Sequence, residues 1–367
     1  MKVLIISPYF FPYKGVGAIR MSSLAAYLLS KKIEVFVARL NNFHDANIEL
    51  PKSLEGITFI DIPEKSFNDN LLIKLESILT INKIERVLVS VGPYYTLKLV
   101  HILTSKFRLK VIIDFRDLWI FEERRQDLFR FLIKKFSLIF SYLTELRALV
   151  SAKSVIFVTE GDLNIMSFFY SFLKKKFFLI PNGHDFEQYT PETIESSPSQ
   201  QSIISVFGKF TYYDRKSALL FLKGINNFQL DFKVIHYGEK EDVIDVHSIY
   251  NDIYHYYGYI SYISSIKMMK ESKINLIVYP LKSGLGTKVY DYIYANKPIL
   301  LIGSRNSAIF KLLNNFKNFY FLDHRFPEKW NFDFLLNLPN ELDTNLQSFL
   351  YSRKKSNNKF VELININ

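Results

Sequence analysis

This sequence predicts an α/β chain of two doubly wound domains, and three observations carry the prediction. Short apolar runs of strand length alternate with helix-like segments from residue 2 onward. The rhythm breaks once, at Glu187–Ser202, where Thr190-Pro191, Ser196-Ser-Pro-Ser199 and Gln200-Gln201 show no periodic apolar face. It then resumes. With 367 residues and 49% hydrophobic content, the chain is long and apolar enough for two cores.

Lys2–Ser7 reads as a continuous apolar strand, as in a parallel sheet covered on both faces. A loop at Tyr13–Gly17 leads into a helix with Met21, Leu24, Ala25 and Leu28 on one face. Glu34–Arg39, Thr58–Ile62 and Arg86–Val91 are the next strands. A helix near Tyr95–Phe107 precedes the strand Lys110–Asp114, and Val155–Thr159 and Phe177–Ile180 complete the first set. The second set is Ile203–Phe207, Phe232–His236, Ile253–Tyr256, Ile274–Tyr279 and Ile299–Ile302, and Leu346–Leu363 reads as a helix. The expected organisation is a first domain over 1–186, a linker over 187–202, a second domain over 203–345 and a terminal helix over 346–367 that can return to the first domain.

Lys and Arg number 47 against 36 Asp and Glu, a formal net charge of +11. That favours an anionic partner: a nucleoside diphosphate, an anionic lipid surface or nucleic acid. The chain shows no zinc-finger spacing or RNA-recognition signature, so nucleic acid is not expected. Cysteine is absent, which excludes disulfides and thiolate chemistry and fits a reducing compartment. No apolar run is long enough to span a bilayer, and Met1–Pro8 lacks a small-residue cleavage site.

Four segments carry chemistry. Ser283–Pro298 reads as a glycine loop opening into a helix, with Gly284 and Gly286, Thr287 as N-cap, and Asn296 with Pro298 as the stop. Free amides at a helix N-terminus favour an anion such as a diphosphate. Lys288 adds a charge there, and Asp291 stands one turn on, where it can accept from ribose hydroxyls. The loop Lys14–Gly17, with Gly15, Gly17 and then Arg20, allows close approach of a phosphate or sugar, although the third glycine of the dinucleotide fingerprint is missing. Asp114-Phe-Arg-Asp-Leu-Trp119 sets Arg116 and Asp117 at a strand's carboxyl end. Gly208-Lys209, with Arg215 and Lys216, sets cations just after a strand. An ordinary strand–loop–helix turn, a salt-bridged loop or a solvated basic loop would use the same residue types. A fifth segment, Arg124–Arg147, interleaves Arg124, Arg125, Lys134 and Lys135 with Phe and Leu. It suits either a bilayer interface or a core-packed helix with a basic side, and Lys174–Lys176 can extend the patch.

In their order and spacing these blocks resemble the GT-B glycosyltransferases, specifically the large retaining family 4. The resemblance rests on Tyr279-Pro-Leu, Gly284-Leu-Gly-Thr-Lys288, Asp291-Tyr and Ala295-Asn-Lys-Pro298. It rests also on the bacterial surface-polysaccharide block at Asp114–Trp119, with Leu118 for the family's Pro, and on Ser90–Tyr94, Ile180–Asp185 and Phe207–Lys209. It implies two Rossmann-like domains facing across a cleft and transfer of a sugar from a nucleoside diphosphate donor to a hydroxyl with retention. No metal or other cofactor is implied, since Lys209, Lys216, Lys288 and loop amides would hold the diphosphate. It implies a lipid-linked or saccharide acceptor in capsule, O-antigen or exopolysaccharide assembly, at the inner face of the cell membrane, with His184 structural. Two departures stand out. The family's paired glutamates fall on Ser283 and Asp291, and its His near Arg116 is missing. A GT-B nucleotide-sugar epimerase and a non-catalytic nucleotide-sugar-binding protein are the alternatives.

Overall fold

The structure, a computed structural model, describes residues 1–13, 16–40, 50–62, 70–118, 135–184, 202–228, 231–238, 241, 250, 252–281, 284–339 and 348–365. The chain divides into two compact units, one of Met1–Asn182 with Arg353–Asn367, the other of Gly183–Ser352. Of the interrupting segment, 187–201 lies outside the described residues, and Ser202 already belongs to a strand.

The first unit runs β1 (Lys2–Ile6), α1 (Val16–Ser30), β2 (Glu34–Leu40), β3 (Thr58–Ile62), α2 (Asn70–Ile81), β4 (Arg86–Val91), α3 (Leu97–Ser105), β5 (Lys110–Phe115), α4 (Lys135–Ser151), β6 (Ser154–Phe157), α5 (Glu160–Phe169) and β7 (Phe177–Leu179). All seven strands are parallel, in the order β3-β2-β1-β4-β5-β6-β7. Alternate residues of β1 feed opposite cores: Leu4 and Ile6 pack with Val87 and Ile113, whereas Val3 and Ile5 pack with Met21 and Leu24 of α1. A strand buried on both faces needs an unbroken apolar run, which is why β1 reads as one.

The second unit runs β8 (Ser202–Phe207), α6 (Arg215–Asn227), β9 (Phe232–Tyr237), β10 (Tyr254–Gly258), α7 (Tyr262–Glu271), β11 (Ile274–Tyr279), α8 (Lys288–Ala295), β12 (Ile299–Gly303), α9 (Ala308–Leu313) and β13 (Phe319–Asp323). Its parallel sheet has the order β10-β9-β8-β11-β12-β13. β13, absent from the sequence reading, pairs with β12 over Ile299–Gly303.

The tail begins as a 3₁₀ turn at Ser348–Tyr351 and becomes α10 (Arg353–Asn365), which belongs to the first unit. Phe360, fully buried, packs in the core shared with α1, and Asn357 donates to Ser23. Phe360→Ala removes a large buried ring, so it should destabilise the first unit by about 3–5 kcal/mol in denaturant unfolding.

Candidate functional site

In the second unit the chain order reverses between β8 and β11, which are hydrogen-bonded neighbours. Open α/β sheets hold ligands outside the carboxyl ends of their strands at such a point. Two loops leave there: one after β8, beginning Gly208-Lys209, and one after β11, ending Gly284–Thr287.

Gly208 has φ +96°, a left-handed value that suits glycine. Its amide donates to the Tyr237 carbonyl at 2.8 Å. Its carbonyl lies 2.6 Å from His236 Nε2. A carbonyl only accepts, so Nε2 carries the proton, and Nδ1 accepts from the Tyr254 hydroxyl at 2.8 Å. His236 is fully buried. Burial holds its pKa below the ordinary value, against the pull of the Gly208 carbonyl and the Glu241 charge. Burial likewise pushes the Tyr254 phenol up. Gly238, at the end of β9, has φ +148°, and a Cβ there would stand 2.5 Å from the Gly208 carbonyl oxygen. Glu241 braces the loop by accepting from the amides of Phe210 (2.9 Å) and Thr211 (2.6 Å).

A trans peptide points its C=O and N–H in opposite directions. With the Gly208 carbonyl turned in to His236, the Lys209 amide is turned out. It makes no hydrogen bond among the described residues, and the space a Gly208 Cβ would enter is open to 4 Å. Lys209 Nζ sits 3.4 Å from the centroid of the exposed Tyr212 ring.

The second loop is shaped by Gly284, whose φ is +94° and where a Cβ would stand 2.5 Å from the Tyr279 hydroxyl. Space beside Gly286 is open to 4 Å. Thr287 does not cap α8 as the sequence suggests. Its backbone is already helical (φ −62°, ψ −27°) and its side chain makes no cap bond, because the turn starts one residue earlier with Val289 N–H donating to Gly286. The amides of Thr287 and Lys288 are therefore without partners among the described residues. Such amides, at the positive end of the α8 dipole, suit an anion. Asn296 ends α8 in the left-handed conformation, φ +56°.

Asp291 departs from its expected role. Its side chain is 3% exposed, accepts from the Tyr262 hydroxyl at 3.0 Å and lies 3.5 Å from Lys288 Nζ. It braces Lys288 from within instead of standing open to ribose hydroxyls. Arg215 and Lys216 are exposed on the first turn of α6, which Asp214 caps by accepting from Ser217 N–H at 3.0 Å.

In the first unit the order reverses between β1 and β4. Here Arg116 fills the space beside Gly17, in the first turn of α1, and Gly92, directly after β4. A Cβ on Gly17 would lie 1.7 Å from Arg116 Nη1, and one on Gly92 would lie 4.0 Å from the same nitrogen. Gly17 thus makes room for a guanidinium, not for the phosphate the sequence suggests. Arg116 is half-buried and makes no hydrogen bond or ion pair among the described residues, and Asp117 is exposed.

Arg20 also differs from its expected donor-binding role. All five of its N–H donors are spent: Nε and Nη2 on Asp114 (3.1 and 2.9 Å), Nη2 on the Ile180 carbonyl (2.8 Å), and Nη1 on the Pro181 carbonyl (3.1 Å) and Asn182 Oδ1 (3.3 Å). Arg20 is 4% exposed and Asp114 fully buried, so the pair ties α1 to the end of β5 and to Ile180–Asn182 and has no donor left for a phosphate. His184 is buried in the second unit, with its amide on the Tyr351 carbonyl and its ring on Tyr294. Gly15, Arg124, Arg125, Lys134 and Ser283 lie outside the described residues, and Lys135 opens α4 without a described side chain.

Among the described residues no helix is long and apolar enough to cross a membrane, and no group of three or more His, Asp or Glu side chains could hold a metal ion.

No protein-family model matches the chain, and no curated protein matches it by sequence. Solved structures do. A glycosyltransferase from Rickettsia africae matches with TM-score 0.69 at 14% identity, covering 99% of this chain and 97% of that one. The Anabaena protein HepE in complex with UDP-glucose matches with TM-score 0.67 at 12% identity, covering 99% and 98%. The UDP-GlcNAc 2-epimerase of Methanocaldococcus jannaschii matches with TM-score 0.61 at 13% identity, covering 99% of each. Both sheets and their connections thus have the GT-B fold. At these identities the likeness concerns the fold alone.

Two outcomes follow from the buried polar groups. Arg20→Met strands the Asp114 carboxylate, so it should cost about 3–5 kcal/mol in denaturant unfolding, and adding Asp114→Leu should recover most of that loss. His236 is held neutral in the fold, while its unfolded form takes a proton below about pH 6.5. Stability should therefore fall as pH drops from about 6.5 toward the lower folded value, and a urea-unfolding series should show a smaller loss in His236→Gln.

Proposed function

We propose that the chain is a retaining glycosyltransferase whose second unit holds the diphosphate of a nucleoside diphosphate sugar. One observation carries this. At the reversal point of that unit, two glycine loops on adjacent strands present the unpartnered amides of Lys209, Thr287 and Lys288, beside the ammonium groups of Lys209 and Lys288. Amides aimed outward at fixed positions bind an anion without reorganisation, and they bind it more strongly as charge grows on the leaving diphosphate. In the transfer, the bond from the anomeric carbon to the diphosphate oxygen breaks with its electron pair on the diphosphate, and a hydroxyl oxygen of the acceptor takes its place and gives its proton to the released diphosphate. Lys209, Lys216 and Lys288 stabilise the departing charge, with Arg215, Gly208, Gly284 and Gly286 shaping the loops. The need for Mg²⁺ is absent from this scheme.

The HepE complex with UDP-glucose and the Rickettsia glycosyltransferase, which share the fold, support a nucleotide-sugar reading. Arg116 or Asp117 is assigned to contact with the transferred sugar, and Arg20 and Asp291 to positioning. The acceptor is a lipid-linked saccharide of a surface polysaccharide, met by peripheral association through the segment that holds Arg124, Arg125, Lys134 and Lys135. Ile139, Phe140 and Leu143 of α4, exposed just beyond that segment, support the association. The M. jannaschii epimerase shares the fold, which favours epimerisation of the free nucleotide sugar as the second reading. Product analysis without acceptor separates the two.

Calorimetric titration with UDP, GDP, ADP and dTDP, with and without EDTA, tests the site. One nucleotide should bind regardless of EDTA, and Lys209→Ala and Lys288→Ala should each weaken it about tenfold or more, the scale of a hydrogen bond to a charged group. No binding to any of the four would overturn the assignment.

A further inference from the structure

Three neighbouring parallel strands of the first unit are each entered through a lysine. Lys110 is the first residue of β5, Lys153 immediately precedes β6, and Lys176 immediately precedes β7. The strands are adjacent in the sheet, and the Lys153 amide donates to the Val111 carbonyl at 2.8 Å. In register Lys153 falls opposite Val111 and Lys176 opposite Ser154, so the three lie within two residue steps of one another along the amino edge. The hydrophobic core does not require them, since strand entry tolerates any polar residue.

A concavity of about 700 Å³ opens at this edge, lined by these three lysines with Arg108 and Lys175 and by no carboxylate. Lys176 turns its ammonium onto carbonyls at the end of α4 and just beyond it, Val150 (2.6 Å) and Ala152 (2.8 Å). Burial first, and then the charge of Lys153, hold its pKa below the ordinary value. The side chains of Arg108, Lys110 and Lys175 make no hydrogen bond or ion pair among the described residues. On the 3₁₀ turn Ser171–Lys176, with three residues per turn, the exposed Phe172 shares a face with Lys175.

We propose that this concavity is an anion site for a phosphate-bearing ligand, at the opposite edge of the sheet from the loops that carry Gly17 and Arg116. Each cation near an anionic phosphate surface contributes about a factor of five to binding, so neutralising the row removes most of the affinity. The site does not depend on the nucleotide reading of the second unit. The phosphate has two possible sources, a bilayer headgroup or a soluble phosphate, and Phe172 beside Lys175 favours the headgroup.

The test uses the full chain in three forms: wild type, Lys110→Gln with Lys175→Gln, and Lys209→Ala with Lys288→Ala. One arm measures sedimentation with phosphatidylcholine vesicles with and without phosphatidylglycerol. The other is calorimetry with inorganic pyrophosphate. The proposal expects binding in at least one arm that the Lys209/Lys288 variant keeps and the Lys110/Lys175 variant loses by at least about tenfold. Binding confined to phosphatidylglycerol vesicles assigns a headgroup, and binding of pyrophosphate assigns a soluble ligand. Single Lys175→Glu, at an exposed position, should give the same loss if the double variant fails to fold. Absence of binding in both arms, or binding that neither Lys110/Lys175 neutralisation nor Lys175→Glu weakens, overturns the site whatever the nucleotide titration shows.

Discussion

One peptide group governs the loop after β8. Only one polar end of a trans peptide can face the interior, and in the loop after β8 it is the Gly208 carbonyl, held by the buried Nε2 of His236. Everything else about the loop follows. Gly208 takes a left-handed φ, Gly238 must lack a Cβ to let it lie so close, and the Lys209 amide faces out. The Gly208 carbonyl fixes the imidazole tautomer, Tyr254 donates to the other ring nitrogen, and Tyr256 holds the Gly238 carbonyl at 3.0 Å. A set of aromatic and imidazole groups beneath the strand ends thus fixes the loop geometry before any ligand arrives. Such preorganisation is what an anion site needs in order to bind without paying for rearrangement.

The two units share a strand order around their reversal points but use them differently. In the second, the loops leave amides and open space. In the first, the Arg116 guanidinium covers Gly17, and the Arg20–Asp114 pair is closed to outside ligands. The same fold therefore leaves unpartnered loop amides in one unit and the Arg116 guanidinium in the other. Side chains at strand ends, not the strands, make that difference.

The strands were largely legible because parallel strands buried on both faces are written as unbroken apolar runs, as in β1 and β12. β13 was missed. Phe319–Asp323 is a short edge strand in a chain so rich in Phe and Tyr that its aromatic run does not stand out. Motif order marked the glycine loops, but a motif does not say how many donors a side chain has already spent. Hence Arg20 and Asp291 read as ligand contacts while the fold engages them internally. His236 and Glu241 were invisible for another reason: their partners are loop backbone brought near only by strand pairing. Gly238, directly after β9, was the one available signal. The lysine row at the amino edge was hidden likewise, since residues 110, 153 and 176 are neighbours only across the sheet.

The central claim is that the outward amides of the two glycine loops receive a diphosphate. Amide-resolved NMR of the labelled chain titrated with UDP tests it most directly. The account predicts that the largest shifts fall on Gly208, Lys209, Thr287 and Lys288, with the His236 ring protons following through the Gly208 carbonyl. Saturable UDP binding that leaves those four amides unmoved would contradict it.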